Sequence, residues 1–113
     1  MKCGQVVLVN YPFTDHSASK VRPALVVSGD SFNIRGDIVV VPISAQESLN
    51  DDHVFPLDSA EPYFPATGLK AASRCVRWSK PMTISRSVIH RLLGHMPEPQ
   101  LGQIRKAIRF IFE

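Results

Sequence analysis

Little in this chain points to a stapled, metallated or membrane-embedded structure. Of its 113 residues two are cysteines, Cys3 and Cys75, which lie far apart and in neither a metal-binding nor a redox spacing. Free thiols are expected, with Cys75 packed as a small hydrophobe. The four histidines, His16, His53, His90 and His95, stand singly, none pairing with a neighbour at ligand spacing. No apolar run approaches the roughly 20 residues of a membrane span, and the N-terminus lacks the uncharged core of a signal peptide. Cytoplasm is the expected compartment, with no membrane partner. A phosphate-cradling glycine loop and a Gly-x-Ser-x-Gly turn are both missing, and with them the usual parts of nucleotide-triphosphate and acyl-transfer enzymes. Without repeats, linkers or low-complexity segments, residues 1–113 read as one domain with a single core.

What is present is a series of short β-branched runs. Residues 5–10 contain V-V-L-V, bounded by Gly4 and the Asn10-Tyr11-Pro12 breaker, and residues 24–27 form a second strand opened by Pro23. One helical turn is expected near residues 30–33. The most apolar strand spans residues 37–44, and its Pro42 suggests an edge or a bulge. A polar loop at 45–52 precedes a short strand at 53–57, and residues 58–68, with Pro62, Pro65 and Gly68, should be irregular. Residues 73–79 alternate, setting Arg74, Val76 and Trp78 against Ser73, Cys75, Arg77 and Ser79. Strands at 81–84 and 91–96 complete the series.

The one clear helix spans residues 98–112, where Leu101, Ile104, Ile108 and Ile111 make an apolar stripe. Pro97 and Pro99 suit its first turn and Glu98 its positive end, with Arg105, Lys106 and Arg109 on a solvated basic face. The fold class is therefore mostly β with a C-terminal α-helix, a small β barrel that the helix closes.

Chemistry concentrates in residues 11–28, Y-P-F-T-D-H-S-A-S-K-V-R-P-A-L-V-V-S, where Asp15, His16, Lys20 and Arg22 gather between hydrophobic runs. Arg22 is held extended by Pro23, and arginine offers a planar fork of donors that fits phosphate oxygens. Ser44 ends the third strand, and Arg77 projects beside Ser79. Should those strand ends neighbour one another, they form a cationic pocket suited to a phosphodiester. Net charge is +3, which permits a polyanionic partner. RNA brings its own nucleophile, the 2′-hydroxyl, so the chemistry calls for no metal and no cofactor. His16, with an ordinary pKa of ~6.5, suits proton transfer, while Arg22 and Arg77 suit the charge growing on phosphorus.

The same residues carry a family resemblance. P-F-T-D-x-S-x-S-K-V-R-P-A-L-V-V-S, then V-V-V-P-I-S ending at Ser44, Gly68-Leu69, Cys75-Val76-Arg77, Lys80–Ile84, Leu93-Gly94-His95 and the last helix resemble the MazF/PemK (Kid) toxins over essentially the whole chain. The resemblance implies an SH3-like barrel and a homodimer. It implies a ribosome-independent, metal-independent endoribonuclease toxin that cuts single-stranded mRNA at short sequences, leaving 2′,3′-cyclic phosphate and 5′-hydroxyl ends. A cognate antitoxin would occupy the groove that RNA uses. By the same resemblance Arg22, Ser44, His16 and Arg77 are catalytic; the residues themselves add Thr14, Asp15, Lys20, Gln46, Trp78 and Ser79 as substrate contacts, with Trp78 either a core anchor or a stacking platform for a base. Three positions depart from the pattern: Ser79 stands where the PemK type has an aspartate base, Ser17 where many members have glutamate, and Lys20 where small residues, often glycine, are common. The alternatives are a family member that binds RNA or antitoxin without cutting, and a gyrase-binding toxin resembling CcdB.

Overall fold

The computed structural model describes residues 1–11, 20–46 and 52–113. The β-branched runs form β1 (Gln5–Tyr11), β2 (Lys20–Val26) and β3 (Asp37–Ser44), and shorter segments form β4 (Phe55–Pro56), β5 (Cys75–Val76), β6 (Met82–Ser85) and β7 (Ile89–His95). The sheet path is β4-β5-β3-β2-β1-β7, with β6 also paired to β3. All these pairings are antiparallel. A single turn of helix, α1 (Asp30–Asn33), precedes β3, and α2 (Gln100–Phe110) closes the order.

Strand β3 is the hub. Its first half pairs β6, from Asp37↔Ser85 to Val40↔Met82, and its end pairs β5 at Ile43↔Val76 and Ser44↔Cys75. Pro42 falls between these two partners, at the break where no ladder bond requires its missing N–H. That break is the irregularity expected of it.

Strict alternation splits the apolar residues between two faces. Val6, Leu25, Val41, Ile43 and Val76 join Trp78, Met96 and Ile104 in one cluster, against which Leu101, Ala107 and Ile108 of α2 also pack. Val7, Val9, Ala24, Val26, Ile38, Val40 and Ile84 form the second cluster. Ile104 is fully buried, whereas Ile111 is 39% exposed because the helix has ended at Phe110. The expected stripe therefore holds for Leu101, Ile104 and Ile108 but not for its last member.

The expected class, mostly β with a C-terminal helix, is what the structure has, and three details differ. The barrel is not closed: among the described residues β4 and β7, the ends of the sheet path, do not pair. Beside β7 lies a 3-10 turn, Phe64–Thr67, that residues 58–68 had been expected to lack. It approaches so closely that a Cβ added at Gly94 would lie 2.3 Å from the Ala66 carbonyl oxygen. The helix also starts later than expected, with Pro99 as its N-cap instead of inside its first turn.

The Glu98 carboxylate accepts a bond from the Gly102 N–H at 3.0 Å, meeting an otherwise orphaned donor at the positive end of α2. Glu98→Ala is expected to lower stability by about 1 kcal/mol, read as a thermal midpoint a few degrees lower. Neither cysteine forms a disulfide; Cys75 is buried, and burial pushes the Cys3 thiol up against the opposing pull of Arg105.

Candidate active site

Strand β2 begins at Lys20, four residues before the expected start, so Arg22 and Pro23 lie inside it. The β1 pairing draws them in: Tyr11↔Lys20, Asn10↔Val21, Val9↔Arg22 and Leu8↔Pro23. On the β3 side the last pair is Ala24↔Pro42. Pro23 thus sits just past that ladder, where its lack of an N–H leaves no bond unmade.

Register then groups the site residues. The β2–β3 pairs run Val26↔Val40, Leu25↔Val41 and Ala24↔Pro42, and Arg22 and Ser44 stand two residues beyond the last pair, each on the face of Ala24 and Pro42 by strand alternation. Ser44 is in turn opposite Cys75, and the Arg77 N–H donates to the Pro42 carbonyl at 2.9 Å. Arg22, Ser44 and Arg77 therefore share the sheet face of Val9 and Ala24, on three adjacent strand segments. Two strand spacings of roughly 4.8 Å and an offset of two residues along the strands put the two arginines about 12 Å apart at the backbone, within reach of two long side chains that converge on one phosphate group.

The Ser44 hydroxyl is fixed by the turn that follows. It accepts from the Gln46 N–H at 3.0 Å and donates to the Gln46 carbonyl at 3.3 Å, an oxygen that also accepts from the Cys75 thiol at 3.6 Å. Gln46 contributes its backbone here, and its residue is exposed. Arg77 is half-buried and exposed Arg22 stands at the open end of the face.

The other expected residues fare differently. Thr14, Asp15 and His16, with Ser17, lie outside the described residues. Lys20 opens β2, opposite Tyr11. Ser79 is half-buried in the turn that follows Trp78. Trp78 is only 8% exposed and belongs to the core cluster, its ring centroid 5.1 Å from that of His53 and 6.4 Å from that of Phe110. Its ring is committed to anchoring the core, the first of the two roles open to a lone tryptophan, and it is not carried forward as a base-stacking platform.

A pocket of about 460 Å³ opens on the opposite sheet face. Its floor is aliphatic, built from Leu8, Pro23, Ile43 and Leu93, and one wall is the segment after the 3-10 turn, from Gly68 to Ser73. Arg22, Lys70 and Arg91 are the charged residues of its lining, with no carboxylate among the described ones. Ser44 and Arg77 do not line it, so Arg22 is the residue common to the pocket and to the Ser44 face. Sequence reasoning missed Lys70 and Arg91. Arg91 is placed by the Leu8↔Arg91 pair of β1 and β7, which no local pattern announces. Among the described residues no three His, Cys, Asp or Glu side chains come together as a metal site.

Comparison with known families matches residues 2–112 to the PemK-like, MazF-like toxins of type II toxin–antitoxin systems. The chain belongs to this family. Solved structures agree on the fold. A MazE–MazF structure from Deinococcus radiodurans superposes with a TM-score of 0.77 at 20% identity, covering 99% of this chain and 95% of that one. A mycobacterial endoribonuclease in complex with its cognate antitoxin gives 0.76 at 16% identity, with 99% and 94% covered. The Mycobacterium tuberculosis toxin MazF-mt6 gives 0.72 at 18% identity, with 96% and 95% covered. No curated protein matches by sequence. Within the described residues of this family member, no helix is long and apolar enough to cross a membrane.

Proposed function

We propose that this toxin is a sequence-specific, metal-independent endoribonuclease that cuts single-stranded RNA and thereby inhibits translation. The observation that carries the reading is that Arg22 and Ser44 fall on one sheet face just beyond the Ala24↔Pro42 pair, with Arg77 on the neighbouring segment, its N–H on the Pro42 carbonyl. Two guanidinium groups and a fixed hydroxyl make a site for a phosphodiester, because arginine forks match phosphate oxygens and strengthen as charge grows on them. The RNA 2′-oxygen loses its proton to a base and attacks phosphorus. The P–O5′ bond breaks and the departing oxygen gains a proton, leaving 2′,3′-cyclic phosphate and 5′-hydroxyl ends. With serine at position 79, the proton acceptor falls to His16 or Asp15 of the first loop. Arg77 binds phosphate, and an arginine of the site supplies the leaving oxygen's proton where that alkoxide is basic enough. Lys20, Gln46, Thr14 and Ser79 would flank the RNA path. Similar structures hold MazF together with MazE and an endoribonuclease together with its cognate antitoxin; here a cognate antitoxin would silence the toxin in the groove that RNA uses, and the working unit would be a homodimer.

The test is to incubate the purified protein with a long single-stranded RNA in EDTA and sequence the ends. Discrete fragments with cyclic phosphate termini are the expected result. RNA that stays intact but shifts on a gel would instead establish a binding toxin that does not cut, the reading that Ser79 and Ser17 favour. Gyrase-dependent DNA breaks with intact RNA would overturn both.

A further inference from the structure

The hydroxyl of Ser44 is held from beneath by a residue that the reaction just described leaves unused. Cys75 stands opposite Ser44 across β3 and β5, and directly paired residues of neighbouring strands turn their side chains to one face of the sheet. The thiol therefore lies on the face of Ser44 and Arg77, but the residue is only 4% exposed, so it underlies the site and does not open onto it. Its segment is tied to β3 on both sides. The Arg74 N–H donates to the Ser44 carbonyl at 2.8 Å and the Arg77 N–H to the Pro42 carbonyl at 2.9 Å. The thiol donates to the Gln46 carbonyl at 3.6 Å, and the same oxygen accepts from the Ser44 hydroxyl at 3.3 Å. A hydroxyl has one proton and two acceptor lone pairs. In Ser44 the proton is on the Gln46 carbonyl, and one lone pair takes the Gln46 N–H at 3.0 Å. One lone pair is left, so Ser44 meets the site as an acceptor, suited to hold a guanidinium N–H and not to give a proton to phosphate.

We propose that Cys75 is a positioning residue of the cleavage reaction: its buried thiol anchors the Gln46 carbonyl, and that carbonyl sets the direction in which Ser44 presents its free lone pair. The proposal rests on the endoribonuclease reading and deepens it, naming what keeps the hydroxyl aimed at the arginines. Cys75 touches neither substrate nor reacting atoms and moves no proton. Ala45 and Gln46 are both exposed, so apolar burial does little to hold this turn and its hydrogen bonds define it. Without the thiol donor the Gln46 carbonyl turns to water, and the Ser44 hydroxyl visits rotamers in which its lone pair misses the guanidinium. A misdirected acceptor costs most as charge grows on the phosphate, where the guanidinium must be fixed, so the loss falls on kcat and leaves KM.

The experiment compares full-length Cys75→Val, Cys75→Ala and Cys75→Ser with wild type on a defined single-stranded RNA, reading kcat, KM and the thermal midpoint. Valine fills the site without a donor. Alanine leaves it smaller and also without one, and answers the same question if valine does not fit. Serine keeps a donor on a shorter side chain. Packing alone lowers the midpoints of the alanine and serine variants together, whereas kcat is expected to follow the donor. It should fall about fivefold for valine and alanine and stay within about twofold of wild type for serine, with KM unchanged throughout. In a Ser44→Ala background, which removes the group that Cys75 acts through, Cys75→Ala is expected to cause no further loss. Valine and alanine variants with the kcat of wild type would overturn this assignment alone. So would a serine variant as slow as the alanine one, or a full fivefold loss in the Ser44→Ala background. Wild-type protein that cuts no RNA would overturn the endoribonuclease reading together with this one.

Discussion

Arg22→Ala is expected to reduce RNA cleavage by about a thousandfold, the scale seen when one preorganised donor to a developing charge is removed. The effect should fall on kcat, because the guanidinium gains most as negative charge builds on the phosphate oxygens. Folding should be unaffected: Arg22 is exposed, and its structural contribution is the backbone pairing with Val9, which alanine retains. Arg22→Lys tests the geometry separately. A lysine preserves the charge but not the planar fork, so a partial rescue of about tenfold over alanine is expected. Single-turnover cleavage of a defined RNA measures all three proteins, with circular dichroism as the folding control. Equal rates for wild type and Arg22→Ala would remove Arg22 from the reaction centre and leave the Ser44–Arg77 pair to account for any activity.

The sequence made Arg22 visible while hiding its surroundings, and the reason is physical. Local pattern marks strands whose apolar residues form a continuous run, so Asp37–Ser44 was expected at its observed bounds. It does not mark a strand extended by a partner. Lys20, Val21 and Arg22 look like loop residues before a proline, yet β1 pairs with all three. The strand expected at 73–79 contracts to Cys75–Val76 because β3 offers only Ile43 and Ser44 to pair with. Alternation still places Val76 and Trp78 in the core, while Cys75 is buried as well, its thiol turned to the Gln46 carbonyl.

The candidate site shows the same division. Arg22, Ser44 and Arg77 could be proposed as neighbours because each sits at or near the end of a readable strand. Lys70 and Arg91 could not, because they come to the pocket on the other sheet face only through the approach of Gly68 to Leu93 and the register of β7 on β1.

That approach supplies the second large effect. Gly68→Ala is expected to destabilise the protein by about 3 kcal/mol, through two separable causes. The backbone at Gly68 has φ +68, where a side chain costs roughly 1–2 kcal/mol. An added Cβ would also lie 2.1 Å from the Leu93 carbonyl oxygen and 3.2 Å from the Leu93 Cβ, and backbone must move to admit it, at a further ~1–3 kcal/mol. Two other glycines isolate the causes. Gly36 has φ +103 with nothing within 4 Å of the added Cβ, so Gly36→Ala should show the conformational cost alone. Gly29 has φ −70 and equally open surroundings, so Gly29→Ala should be neutral or stabilising by a few tenths of a kcal/mol. Thermal midpoints should therefore fall in the order Gly29→Ala, Gly36→Ala, Gly68→Ala, the last lower than wild type by about 12 °C at ~4 °C per kcal/mol. A Gly68→Ala protein as stable as Gly36→Ala would mean that the segment carrying Lys70 lifts away from β7 at no cost.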